Sequence, residues 1–153
     1  MTDDDVTYYA VHDPADPSRI TYWRETAQGR KPWPNKANYA PVLLKRDVPA
    51  LLTRQDRRAW VNAWFREELP NWQAAIDAAI DADPVGARAR FVAFTSRCCC
   101  CGRALTDPAS KCYGVGPECR ADVSAGLLAE LTVAVGRAHA AHLEGQEAEH
   151  ASH

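Results

Sequence analysis

All six cysteines of this 153-residue chain fall within residues 98–119, CCCCGRALTDPASKCYGVGPEC, and the first four are consecutive. No other feature constrains the fold as much, because thiols crowded into one glycine- and proline-punctuated loop must share a chemistry. Disulfides, a thiol redox site and a bound metal are the three options. A chain of this length buries enough apolar surface to fold without disulfide staples. The opening residues, MTDDDVTYYAV, lack the positive start and apolar run of a secretory signal. No apolar stretch is long enough to cross a bilayer. These features predict a cytoplasmic protein, and in that reducing compartment clustered cysteines hold a metal more often than they form disulfides.

Geometry selects which sulfurs cooperate. Zinc takes four ligands at tetrahedral corners, and two cysteines separated by two residues reach one ion from a tight turn. Adjacent thiols point apart, so Cys98 and Cys101 form the natural pair, with Gly102 turning the backbone behind them. Cys112 and Cys119 supply the second pair, giving C-x2-C-x10-C-x6-C around one Zn2+ ion. Cys99 in place of Cys98, by a one-residue shift, stays open as an alternative, as does a core role for Cys99 and Cys100. TDPAS is a turn signal, and Pro117 suits the first turn of a helix with Glu118 favourable near its N-terminus. Cys119 falls in that same turn. Four protein ligands make the predicted site structural, without an open coordination position.

The segment resembles the signature CxxCGRxLTDPxSxxxGxGPxC of a small, uncharacterised zinc-finger family of actinobacteria and their phages. Cys98, Cys101, Gly102, Arg103, Leu105, Ser110, Gly114, Gly116, Pro117 and Cys119 match it position by position. The resemblance implies zinc, and nucleic-acid or protein partners, with no defined reaction. It also implies that the position of Cys112 need not be cysteine, which makes Cys99, His139 and His142 alternative fourth ligands.

The pattern along the chain predicts one α+β domain: an N-terminal β-hairpin followed by a mostly helical region with an embedded zinc-binding loop. Residues 1–52 hold the hairpin and a Pro-rich basic loop, with β-branched and aromatic runs at 6–11 and 19–24 and a short strand at 42–44. Residues 53–97 are helical. Thr53 caps a helix over 54–68 whose apolar face carries Trp60, Val61, Trp64 and Phe65. Pro70 ends that helix and Asn71 caps the next, with Trp72, Ile76, Ala79 and Ile80 as its stripe. A third helix at 85–96 leads into the zinc loop, 98–122. A helix over 123–143 buries Leu127, Leu131 and Val135, and the polar residues 144–153 form a flexible tail.

Net charge is only −2, yet residues 19–58 contain ten Lys or Arg against three Asp or Glu. Acidic residues, Asp13 among them, gather near the N-terminus. Such polarisation suits a basic surface facing phosphate. Trp33, between two prolines and beside Arg30, Lys31 and Lys36, is placed to stack on a base; Lys45 and Arg46 extend the same surface. The predicted partner is a nucleic acid or a host protein, with no membrane and no small-molecule substrate. The sequence has no phosphate loop, no H-E-x-x-H and no H-x-E beside the cysteines, so an enzyme is not expected.

Overall fold

The computed structural model describes residues 5–34 and 39–151, with side chains to residue 145. An antiparallel sheet of order β1-β2-β3 opens the chain: β1, Thr7–Asp13; β2, Asp16–Thr26; β3, Gly29–Pro32. Mostly helical structure follows: α1, Ala40–Asp47; α2, Arg54–Ala63; a π-helical turn, Trp64–Glu68; α3, Leu69–Ala82; α4, Pro84–Thr95; α5, Pro108–Tyr113; α6, Pro117–Arg120; and α7, Ala125–Ala151.

Strand β1 alternates between two separate cores. Tyr8 and Ala10 face a core formed with Phe91 and Val92 of α4, Leu131 and Val135 of α7, and Cys98, Cys99, Leu105 and Val115. Tyr9 and Val11 face the other side, packing with Trp23, Ala87, and Ile76 and Ile80 of α3. A strand covered on both faces reads as the unbroken apolar run YYAV rather than as alternation. For the same reason neither Tyr22 nor Trp23 is left standing in solvent on β2. Trp23 is buried against Tyr39 and Trp72, while Tyr22 meets Trp33 and Phe91.

The outer edge of β1 is occupied. The Tyr8 N–H donates to the Cys99 carbonyl at 2.9 Å, and Arg90 Nη1 donates to the Ala10 carbonyl at 2.9 Å. At its turn, Asp13 is buried and acts as a hub. It accepts from the Ala15 N–H, from Trp72 Nε1 and from Arg46 Nη1, tying β1 to α1 and α3. Its place in an acidic N-terminal run concealed that role.

Several predicted elements shift. The third strand forms at Gly29–Pro32, and residues 42–44 lie in α1, whose N-terminus holds Pro41 where a missing N–H costs nothing. Thr53 caps α2 as expected, its hydroxyl accepting from the Asp56 N–H at 3.1 Å. Pro70 does not end the helix. The π-turn widens the spiral, so the Leu69 N–H donates to the Trp64 carbonyl five residues back. The helical path thereby continues past a residue that would break a regular α-helix, and Asn71 lies inside α3. Helix α7 runs on through residues 144–151.

Candidate metal centre

The path into the site begins where α4 stops. Ser96 adopts a left-handed conformation, φ 56°, and residues 96–105 fold back as a miniature hairpin. The Leu105 N–H donates to Ser96 O at 2.9 Å, the Cys98 N–H to Arg103 O at 2.9 Å, and the Gly102 N–H to Cys98 O at 2.8 Å. Gly102 has φ +76°, and a Cβ there would stand 2.8 Å from the Tyr8 ring, so glycine is required on both counts. This hairpin is the knuckle that the C-x2-C-G spacing predicts.

The knuckle presents two sulfurs to a third. Sγ of Cys98, Cys101 and Cys119 all lie within 4.8 Å of one another. Cys119 comes from α6, whose N-terminal Pro117 and Glu118 sit as predicted. Two backbone donors, the N–H groups of Cys100 and Gly116, point at Cys98 Sγ at 3.4 Å, the bonds that a thiolate accepts. A tetrahedral zinc with Zn–S bonds of about 2.3 Å needs sulfurs about 3.8 Å apart. The observed group closes onto an ion with small side-chain movements, so the donor set fits a thiophilic metal.

The electrostatics point the same way. A hydrogen bond to Cys100 and burial push the Cys98 thiol up to about 12. Burial and the Cys98 and Cys101 sulfurs raise Cys119 further still. Three thiolates so close together repel one another unless a cation sits among them.

Cys112 does not join the group. It is exposed on α5, two residues from the fully buried Ser110, and two residues on a helix turn the side chain by roughly 200°. Ser110 faces inward, so Cys112 faces solvent. The other suggested ligands are elsewhere too. Cys99 is buried in the β1–α4–α7 core and is not part of the sulfur group. There hydrogen bonding with Cys100, opposed by burial and helped by the Arg88 guanidinium, holds its thiol below the usual thiol range. Cys100 Sγ accepts from Arg88 Nη2 at 3.2 Å. His139 is exposed on α7, and His142 packs against Phe94 with ring centres 4.4 Å apart. Among the described residues only three candidate ligands gather.

Several residues of the expected basic surface have partners within the chain. Arg30 is held by three carboxylates, its guanidinium 2.8 Å from Glu25, 3.2 Å from Asp77 and 2.8 Å from Asp81. Arg46 pairs with Asp13 and Asp47. Trp33 is packed, with ring centres 5.2 Å from Phe91, 5.9 Å from Tyr22 and 6.1 Å from Tyr8, and Arg97 lies over its face. Lys31 and Lys45 are exposed; Lys36 lies outside the described residues.

The chain is therefore an α+β protein whose cysteine cluster can hold a metal. A family described as a family of unknown function (DUF6011) matches residues 88–124, about a quarter of the chain. That span runs from Arg88 in α4 through the knuckle and α6, and contains all three clustered cysteines. No curated protein and no solved structure matches the chain. No helix among the described residues is long and apolar enough to cross a membrane.

Proposed function

We propose that this chain is a zinc-binding protein that acts by binding rather than by catalysis, in the reducing cytoplasm, with nucleic acid as its partner. The observation that carries the metal is the convergence of Cys98, Cys101 and Cys119 sulfurs within 4.8 Å. Zinc suits a donor set of thiolates, needs no redox chemistry, and fastens the knuckle to the start of α6. A phage or prophage origin rests on the resemblance of the cysteine signature alone.

Support for the partner comes from cations left exposed rather than from Arg30, Arg46 and Trp33. Arg54, Arg57 and Arg58 lie on the first turns of α2, spaced to share a face, and form no ion pair with a described residue. Positive charge at a helix N-terminus opposes the helix dipole, so these residues do not serve the helix. The three arginines offer phosphate a cationic helix face, and Lys45 and Lys31 are further exposed cations.

The test is an electrophoretic shift or anisotropy titration with DNA and RNA across salt concentrations. Affinity is expected to fall steeply with salt, and replacing Arg54, Arg57 and Arg58 by alanine should flatten the slope by about one for each phosphate no longer neutralised. Absence of binding at low salt removes nucleic acid. A protein partner is then favoured by Leu51, 97% exposed between α1 and α2; it predicts stoichiometric capture of a partner from nuclease-treated lysate.

A further inference from the structure

The three clustered sulfurs form one wall of a cavity of about 440 Å³ whose other lining includes Arg103, Asp107, Ser110 and Glu118. We infer that the metal at Cys98, Cys101 and Cys119 keeps its fourth coordination position open to this cavity, where it takes a neutral exchangeable donor: water in the free protein, and an imidazole when one is supplied. The inference rests on the zinc reading above and goes beyond it, because a closed four-cysteine centre would bind nothing further.

Three features of the cluster and its cavity carry it. Among the described residues no fourth sulfur or imidazole lies within 4.8 Å of all three: Cys112 faces solvent on α5, Cys99 is in the core, His142 is against Phe94, and Cys100, though its sulfur meets that of Cys98, is engaged by Arg88. The cavity wall offers a polar group suited to a bound donor. Ser110 is fully buried, and its hydroxyl lies beside the Asp107 carboxylate without a well-formed hydrogen bond. Charge selects the class of donor. Three thiolates around a divalent ion leave a net charge of −1. The lining adds two carboxylates, Asp107 and Glu118, offset by Arg103, 3.6 Å from Glu118, and by Arg120, whose charge acts on Asp107, so the centre's own charge of −1 decides. An anionic fourth ligand would add charge to a site already negative, whereas water or imidazole would not.

Asp107 is the competitor within the chain. Its carboxylate caps α5, accepting from the Ser110 N–H at 2.9 Å, and ligation would raise the negative charge of the centre as well.

X-ray absorption at the zinc edge of the loaded full-length chain tests the inference. The expected shell is three sulfurs at about 2.3 Å and one nitrogen or oxygen at about 2.0–2.1 Å. Asp107→Asn, which preserves the helix cap, should leave that shell unchanged. In the cobalt-loaded chain, added imidazole should shift the visible d–d bands saturably while sulfur-to-cobalt charge transfer keeps its intensity. A four-sulfur shell overturns the inference, and Cys100→Ser, Cys112→Ser or Cys99→Ser then shows which thiol closes the site. Loss of the light-atom shell in Asp107→Asn, or a cobalt spectrum indifferent to imidazole, overturns it equally. A chain that binds neither zinc nor cobalt instead removes the metal reading itself.

Discussion

Cys98 and Cys99 are neighbours in sequence and opposites in role. The first turns its sulfur toward Cys101 and Cys119, and the second buries its sulfur beside Arg88 in the core between β1, α4 and α7. Replacing Cys98, Cys101 or Cys119 by serine is expected to abolish stoichiometric zinc in metal analysis, whereas Cys112→Ser retains it. Because Cys98 stands at about 12 and Cys119 is raised further, these thiols hold their protons at neutral pH. Loading must then release protons from these two ligands, and affinity must weaken as pH falls. Calorimetry in buffers of different ionisation enthalpy measures that release. Gly102→Ala forces φ +76° on a residue with a Cβ and pushes it into the Tyr8 ring. A loss of about 1 kcal/mol or more in denaturant unfolding is expected. The C-x2-C-G turn was legible because spacing alone dictates which sulfurs meet. The solvent-facing phase of Cys112 was not, since a six-residue helix leaves no periodicity to read.

Among the elements, the helices at 54–63, 69–82 and 84–95 follow from apolar periodicity and, for the first, from the cap at Thr53. The Asp83 side chain that caps the third, accepting from the Gly86 N–H, was not read from the sequence. The continuity through Pro70 escaped prediction because a π-turn is a response to local geometry that has no residue signature of its own. Arg30 illustrates the same limit in electrostatics. Its sequence neighbours Lys31 and Lys36 suggested a phosphate contact, but its partners Asp77 and Asp81 arrive from α3, some fifty positions away. Nothing local announces them. The residue thereby pins β3 to α3. Arg30→Met should lower stability by roughly 1–2 kcal/mol, since it deprives Asp77 and Asp81 of charge-assisted hydrogen bonds and Glu25 of its ion pair. Part of that loss should vanish at high salt, read as a smaller shift in unfolding midpoint.

Over the whole molecule, an α+β arrangement with the cysteine loop between helices was readable from composition and period. The sealing of the sheet on both faces was not, because it depends on α3 and α4 returning to opposite sides of β1. Trp33 followed from that closure: once α4 packs on the sheet, Phe91 claims the tryptophan. Metal should act on the molecule as a folding ligand. With zinc a hundredfold above its Kd, the gain is about 2.7 kcal/mol. Stripping it with a chelator should lower Tm by roughly 5–10 °C for a chain of this size, a shift measurable by calorimetry and absent in the Cys119→Ser chain.

The hydrogen bond from Tyr8 to Cys99 carries a consequence for solution behaviour. Sheet borders with free amides and carbonyls recruit strands from other copies, and here the cysteine knuckle is the guard along that border. If demetallation loosens the knuckle, the bared flank of β1 becomes a template for intermolecular strand addition. The ion's wider service would then be to keep separate copies of the chain from joining into fibrils.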